Sequence, residues 1–190
     1  MARLFLIRHG RPSETWGGAS SDPGLSELGM AQAEAAAAKL AAYGPLDVVS
    51  SPMRRCVETA APYARLRGVS SRLEPRVSEV VAEPGVEDRP AWLQARFPWR
   101  DPGKLRDWAS LEPALQAWRA QMLDYVSGIE RDTAVFSHFI AINVITGAAL
   151  RRDTTMVCKP DHASITELEV SDGALRFIAF GAEMQVDDVR

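Results

Sequence analysis

The sequence has few groups with which to staple itself, chelate a metal or cross a membrane. Of 190 residues only two are cysteine, Cys56 and Cys158, and they form neither a C-x-x-C pair nor a metal-ligand spacing. That excludes a disulfide scaffold and makes both thiols expected reduced core residues of a cytoplasmic protein. Only three histidines occur, His9, His138 and His162, with no H-x-H and no H-E-x-x-H, and Arg8 beside His9 would repel a cation, so no metal is expected. Lysine is also scarce, three residues among 22 Lys+Arg, and the net charge of −3 offers no basic field for nucleic acid or anionic lipid. The apolar run Leu4 to Ile7 is too short for a signal-peptide core or a membrane span, and Arg8 ends it. There is no internal repeat and no G-x-G-x-x-G, and "PGKL" at 102–105 lacks both the first glycine and the Ser/Thr of a phosphate loop. What remains is 46% hydrophobic and 25% charged, the balance of one globular domain.

Its organisation alternates strands with helices. "LFLI" reads as a buried strand and is followed by a polar loop rich in glycine and proline. The alanine-rich "QAEAAAAKLAAYGP" at 32–45 reads as the end of a helix stopped by Gly44-Pro45. "LDVVSS" predicts a short strand running into a helix, with Ser51 near its N-cap and Pro52 in its first turn. The grammar returns with a strand at about Ala134–Phe136 and an apolar helix at about Phe139–Leu150. Between them, residues 75–107 mix prolines with Trp92 and Trp99, predicting an insertion of loops and short helices, and a helix is expected from Leu111 to Ser127. "SITELEV" and "ALRFIAF" flank Ser171-Asp172-Gly173, a hairpin signal. The expected fold is α/β: a three-layer α/β/α sandwich with a mostly parallel central sheet and an antiparallel edge, one domain over 1–190 with a cap-like insertion at about 81–108.

In open α/β sheets the site forms where loops leave the carboxyl ends of the strands. Three segments place polar groups there: Arg8-His9, Arg54-Arg55 and His138. Arginines in a helix's first turn oppose its dipole, a cost that an anion held at the helix start would offset. A guanidinium adds bidentate hydrogen bonds to phosphate oxygens. Taken singly, each histidine also reads as structural and each arginine as a surface ion pair; three coincident segments favour a phosphate site.

"LIRHG", "GLSELGMAQAEAA", "SSPMRRCVETA", "VSEV" at 77–80, "FSHFIAIN" and the closing "ASITELEV", in this order, resemble the histidine phosphatase superfamily, the phosphoglycerate mutase-like family. The resemblance spans residues 2 to about 170. It implies His9 as the nucleophile that becomes phosphohistidine, Arg8 and Arg55 as a phosphate clamp, His138 as the second histidine completing the pocket, and Glu79 as the general acid. It implies no cofactor and a small phosphorylated substrate, with neither nucleic acid nor membrane as partner.

The sequence also departs from that pattern. Arg11 follows the R-H-G where many members carry Glu or Gln, either to meet a second anionic group of the substrate or to pair with a surface carboxylate. The Gly-aromatic segment after the acid is replaced by "VAEPGVEDRPAWL", which makes Glu83 a rival to Glu79. Mutase members are longer here, so the shorter chain favours hydrolysis over mutase-type phosphotransfer; a catalytically silent phosphate-binding regulator is the other alternative. His162 reads as structural or as part of the pocket rim, Trp16 as a pocket or loop aromatic, and Ser13 and Asp22 as possible substrate contacts.

Overall fold

The computed structural model describes residues 1–14 and 22–185, so the reading of Trp16 falls outside the described residues. Strand β1 (Ala2–Arg8) is followed by helix α1 (Glu27–Leu40), β2 (Asp47–Ser50), α2 (Arg54–Arg67), the short β3 (Arg72–Leu73), α3 (Arg89–Arg96), α4 (Pro113–Ser127), β4 (Thr133–Ser137), α5 (Phe139–Ala149), β5 (Ile165–Ser171) and β6 (Ala174–Ala179). The sheet order is β3-β2-β4-β1-β5-β6. The first four are mutually parallel, and β5 and β6 extend the sheet antiparallel, as expected.

The central strands are continuously apolar because helices cover both faces. Leu4, Leu6, Val49 and Val135 face α5 and α4, packing with Phe139, Ile142, Met122 and Val126. Phe5, Ile7, Val48, Ala134 and Phe136 face α1 and α2, against Leu40, Cys56, Ala60 and Tyr63. Full burial of each large apolar side chain contributes roughly 1.5–3 kcal/mol. Helix α5 is buried all along from Phe139 to Gly147, which explains why its sequence shows no polar face. Among the described residues no helix is long and apolar enough to cross a membrane.

The Asp172-Gly173 turn has positive φ at both positions, 52° and 75°, the type I′ geometry that the dipeptide predicts. Three boundaries differ from expectation. Helix α1 ends at Leu40 and the chain continues as a 3₁₀ turn, Ala41–Tyr43, before Gly44 at φ 90°. Helix α4 starts at Pro113, whose missing N–H is no loss at a first helical position. Helix α2 starts at Arg54 with Met53 as its N-cap, so Pro52 lies outside the first turn. Its capping oxygens come from Asp22, whose carboxylate accepts the Arg54 N–H at 3.0 Å to each oxygen. Residues 81–108 form loops, α3 and 3₁₀ turns, and Leu93, Phe97, Trp99 and Trp108 from this stretch join the core on the α5 side.

The start of α1 fixes the loop after β1. Ser26, its N-cap, accepts from Gly29 N, and its own N–H and hydroxyl both donate to the Arg11 carbonyl. The Arg11 N–H donates to Gln32 Oε1 at 2.9 Å. Backbone meets backbone here: a Cβ on Gly29 would lie 2.1 Å from the Arg11 oxygen, and one on Gly10 would lie 2.6 Å from the Gly29 oxygen. Gly29→Ala is therefore expected to force the helix off the loop and to lower stability by about 1–3 kcal/mol in urea denaturation. An unchanged midpoint would show that the close approach is dispensable.

Candidate active site

The site is assembled by strand register. Arg8 pairs with Ser137 and Ser50 with Phe136, so β1, β4 and β2 end level. The ladder continues one step beyond, with His9 N donating to Ser137 O at 2.9 Å and Ser51 N to Phe136 O at 3.0 Å. His9 and His138 thereby leave neighbouring strands side by side, ring centroids 5.3 Å apart and edge to face. Arg55 reaches them from the first turn of α2, while Arg54 turns outward to Glu58 at 2.7 Å. Gly10 N donates to Thr59 Oγ1, which donates to Arg55 O, tying the loop to that helix.

Hydrogen-bond partners fix the tautomers. The Gly10 carbonyl, 2.9 Å from His9 Nδ1, can only accept, so Nδ1 carries the hydrogen and Nε2 keeps its lone pair. Arg55 Nη2 can only donate, so His138 Nδ1, at 3.2 Å, accepts and its Nε2–H points to Ser51 Oγ at 2.8 Å. Burial holds the His9 pKa well below its ordinary value, helped by the charges of His138, Arg55 and Arg8. Burial likewise lowers that of His138, with Arg55, Arg8 and Arg89 adding to the effect. Both rings are neutral and only one of them directs its lone pair at a guanidinium.

Glu79 lies beneath this cluster, 6% exposed. Its carboxylate accepts from Val80 N at 3.1 Å and from Ile140 N at 3.0 Å, capping the start of α5. Burial raises its pKa and outweighs the two backbone hydrogen bonds and the charge of Arg55, which lower it. Glu83 is exposed on the segment beyond. The structure thus brings Arg8, His9, Arg55, Glu79 and His138 together and leaves Glu83 and the exposed Ser13 at the surface. Arg11 is anchored through its main chain, and Asp22 approaches Arg55 Nη1 at 3.7 Å while capping α2.

Two residues enter that sequence reasoning had assigned elsewhere or left at the rim. Ser51 holds His138 rather than only marking a helix start, and it also bonds Ser78 at 3.2 Å. His162 sits inside, its ring 5.8 Å from that of His9 and its Nε2 3.2 Å from Arg8 Nη2. No local pattern signals either contact, although a third histidine just before a strand bordering β1 was the available clue. Among the described residues no group of three His, Cys, Asp or Glu side chains could hold a metal ion. A groove of about 620 Å³ lies elsewhere, beside β2, β3 and the end of α4, and its arginines are already paired, Arg76 with Glu74 and Arg131 with Asp47.

Comparison with known proteins places the chain in a family and matches its fold. A family model described as the histidine phosphatase superfamily (branch 1) matches residues 4–182. The chain is 30% identical over 170 residues to a glucosyl-3-phosphoglycerate phosphatase of Mycolicibacterium vanbaalenii, covering 78% of this chain and 74% of that one. To the protein of the same description in Mycobacterium tuberculosis it is 39% identical over 80 residues, which span 40% of this chain and only 36% of that relative. A solved mycobacterial glucosyl-3-phosphoglycerate phosphatase complexed with VO3 superposes with a TM-score of 0.73 at 25% identity, covering 96% of this chain and 100% of the other.

The lowered histidine pKa values have a measurable sign. The unfolded chain protonates His9 and His138 near pH 6.5 and the folded protein only at lower pH, so the stability they confer is complete above about pH 6.5 and is lost as the pH falls through the lowered values. Glu79, with its raised pKa, works in the opposite sense. Thermal unfolding from pH 8 to 5 should therefore show a midpoint that falls more steeply in the wild type than in a His9→Gln/His138→Gln variant. Parallel profiles would refute the neutral, buried assignment.

Proposed function

Because the chain belongs to branch 1 of the histidine phosphatase superfamily, we propose that it is a phosphomonoester hydrolase acting on a small phosphorylated metabolite through a phosphohistidine at His9. The observation that carries this reading is the state of His9: its Nδ1–H is committed to the Gly10 carbonyl, and its Nε2 lone pair is held neutral among the charges of Arg8 and Arg55. Such a nitrogen is a competent nucleophile without an external base.

In the first step His9 Nε2 attacks phosphorus in line, the N–P bond forms and the bond to the leaving oxygen breaks. Arg8 and Arg55 supply fixed donors and charge to the equatorial oxygens, and neutral His138 completes the pocket by holding Arg55, its one N–H reaching a phosphoryl oxygen only by leaving Ser51. Arg55 Nε, buried and with no acceptor among the described residues, is a donor that a phosphoryl oxygen would satisfy. Glu79, whose pKa burial raises above the ordinary carboxylate value, protonates the leaving alkoxide. In the second step Glu79 takes a proton from water, whose oxygen attacks phosphorus as the N–P bond breaks, releasing phosphate and restoring His9.

The segment 81–108 acts as the cap over this centre and selects the substrate. Support comes from Arg89, at the start of α3, whose charge acts on Glu79, Arg55 and His138 and whose Nη2 donates to Val80 O at 3.0 Å. A cytoplasmic setting is supported by Cys56 and Cys158, buried free thiols whose pKa values burial pushes up, that of Cys158 to about 12.

The test is hydrolysis of p-nitrophenyl phosphate and a panel of phosphate esters with chelator present. His9→Ala should lose at least about a thousand-fold in kcat, and quenched turnover should yield an acid-labile, alkali-stable phosphoenzyme in the wild type alone. Activity surviving in His9→Ala would overturn the nucleophile. Glu79→Gln should cost about 10²–10⁴ in turnover while Glu83→Gln leaves it unchanged; the reverse result would transfer the acid role to Glu83.

A further inference from the structure

We propose that His162 is a positioning residue for Arg8, holding the clamp through an imidazole lone pair in the way His138 holds Arg55. The inference rests on the phosphohistidine reading and deepens it. The two contacts are chemically the same. Arg55 Nη2 lies 3.2 Å from His138 Nδ1, and Arg8 Nη2 lies 3.2 Å from His162 Nε2. A guanidinium has no lone pair to offer, so in both pairs the imidazole nitrogen is the acceptor and the ring is neutral. His162 therefore carries its hydrogen on Nδ1, the nitrogen that faces Asp161 Oδ1 at 3.9 Å.

The backbone around His162 is built to deliver this side chain. Ala163 adopts φ 56°, a left-handed conformation that is unfavourable for a residue bearing a Cβ. It is held there from both ends: Ala163 N donates to Arg8 O at 3.0 Å, Ser164 N to Asp161 O at 3.1 Å, and Asp161 N to Ala182 O at 2.9 Å. The same turn meets the Arg8 side chain, since Pro160 O accepts from Nη1 at 2.9 Å. Met184 Sδ, from the segment after β6, receives the same Nη1 at 3.1 Å, and the Phe139 ring lies 5.1 Å from the guanidinium carbon. The His162 side chain is only 8% exposed and its ring stands 5.8 Å from that of His9.

The choice of imidazole has a physical reason. A carboxylate would orient a buried guanidinium more strongly, but it would also cancel the charge that the incoming phosphoryl group needs. A neutral ring fixes direction and leaves the charge intact. The Pro160 carbonyl, the Met184 thioether, the Phe139 face and His162 each touch Arg8 without carrying a charge of their own.

Three variants of the full chain separate this role from a merely structural one. His162→Ala removes the acceptor, His162→Gln replaces it with a neutral amide oxygen, and His162→Glu replaces it with an anion. Against a wild type that hydrolyses p-nitrophenyl phosphate, His162→Ala should lower kcat/KM by about a hundred-fold, the scale of a clamp displaced by an ångström. It should weaken inhibition by vanadate, a transition-state mimic, more than inhibition by inorganic phosphate. His162→Gln should recover most of that loss, and His162→Glu should bind phosphate more weakly than His162→Ala, with all three unfolding within a few degrees of the wild type. If His162→Ala turns over like the wild type, or His162→Gln is no better than His162→Ala, the positioning role is overturned. A wild type lacking phosphatase activity would overturn the underlying reading instead, and the two failures are distinct.

Discussion

A guanidinium facing the lone pair of a neutral imidazole is the contact on which this centre depends. Two arginines are buried at the ends of the parallel strands, Arg8 fully and Arg55 to 6% exposure, and burying a cation without a partner is expensive. Ordinary ion pairing would remove the expense and the function together. Neutral acceptors hold part of each guanidinium, His138 that of Arg55 and the Pro160 carbonyl and His162 that of Arg8, while Asp22, half-exposed, approaches Arg55 at 3.7 Å. The cluster therefore favours an anion by default. Burial first, and the same charges after it, lower the pKa values of His9 and His138, so one buried arrangement sets the state of the arginines and of the rings beside them.

Glu79 shows how the scaffold and the chemistry share atoms. Its two oxygens accept the N–H groups of Val80 and Ile140, so the carboxyl that caps α5 is also the one aligned with the cluster. Helix α5 begins directly after His138, so its start ties His138 and Glu79 to the same turn of chain. The burial that raises the pKa of Glu79 is the burial of α5 itself, packed between the sheet and α4.

Much of this was legible because it is local. The apolar runs of β1 and β4, the Asp-Gly turn and the polar residues that end each strand are read within a few positions, and they place Arg8, His9 and His138 at one edge of the sheet. Position alone also marked the Arg54-Arg55 pair; the resemblance singled out Arg55 from it and added Glu79. What sequence could not show is long-range: Asp22 capping a helix 32 residues away, Ser51 turned from its own helix to His138, and His162 reaching Arg8 across 154 residues. Pro52 misled because proline is common in first turns, whereas here Asp22 supplies the capping oxygens and the helix begins two residues later.

The topology also has a kinetic side. Strand β1 is made well before its neighbours in the sheet, β4 and β5, which join it through pairs such as Leu4 with Thr133 and Ala2 with Val170. During synthesis the apolar "LFLI" segment must wait, unpaired, until most of the chain has emerged, and closing such distant contacts is slow. The strand that leads to His9 is thus an aggregation-exposed piece of the nascent chain, and His9 meets His138 only once β4 has been made and paired.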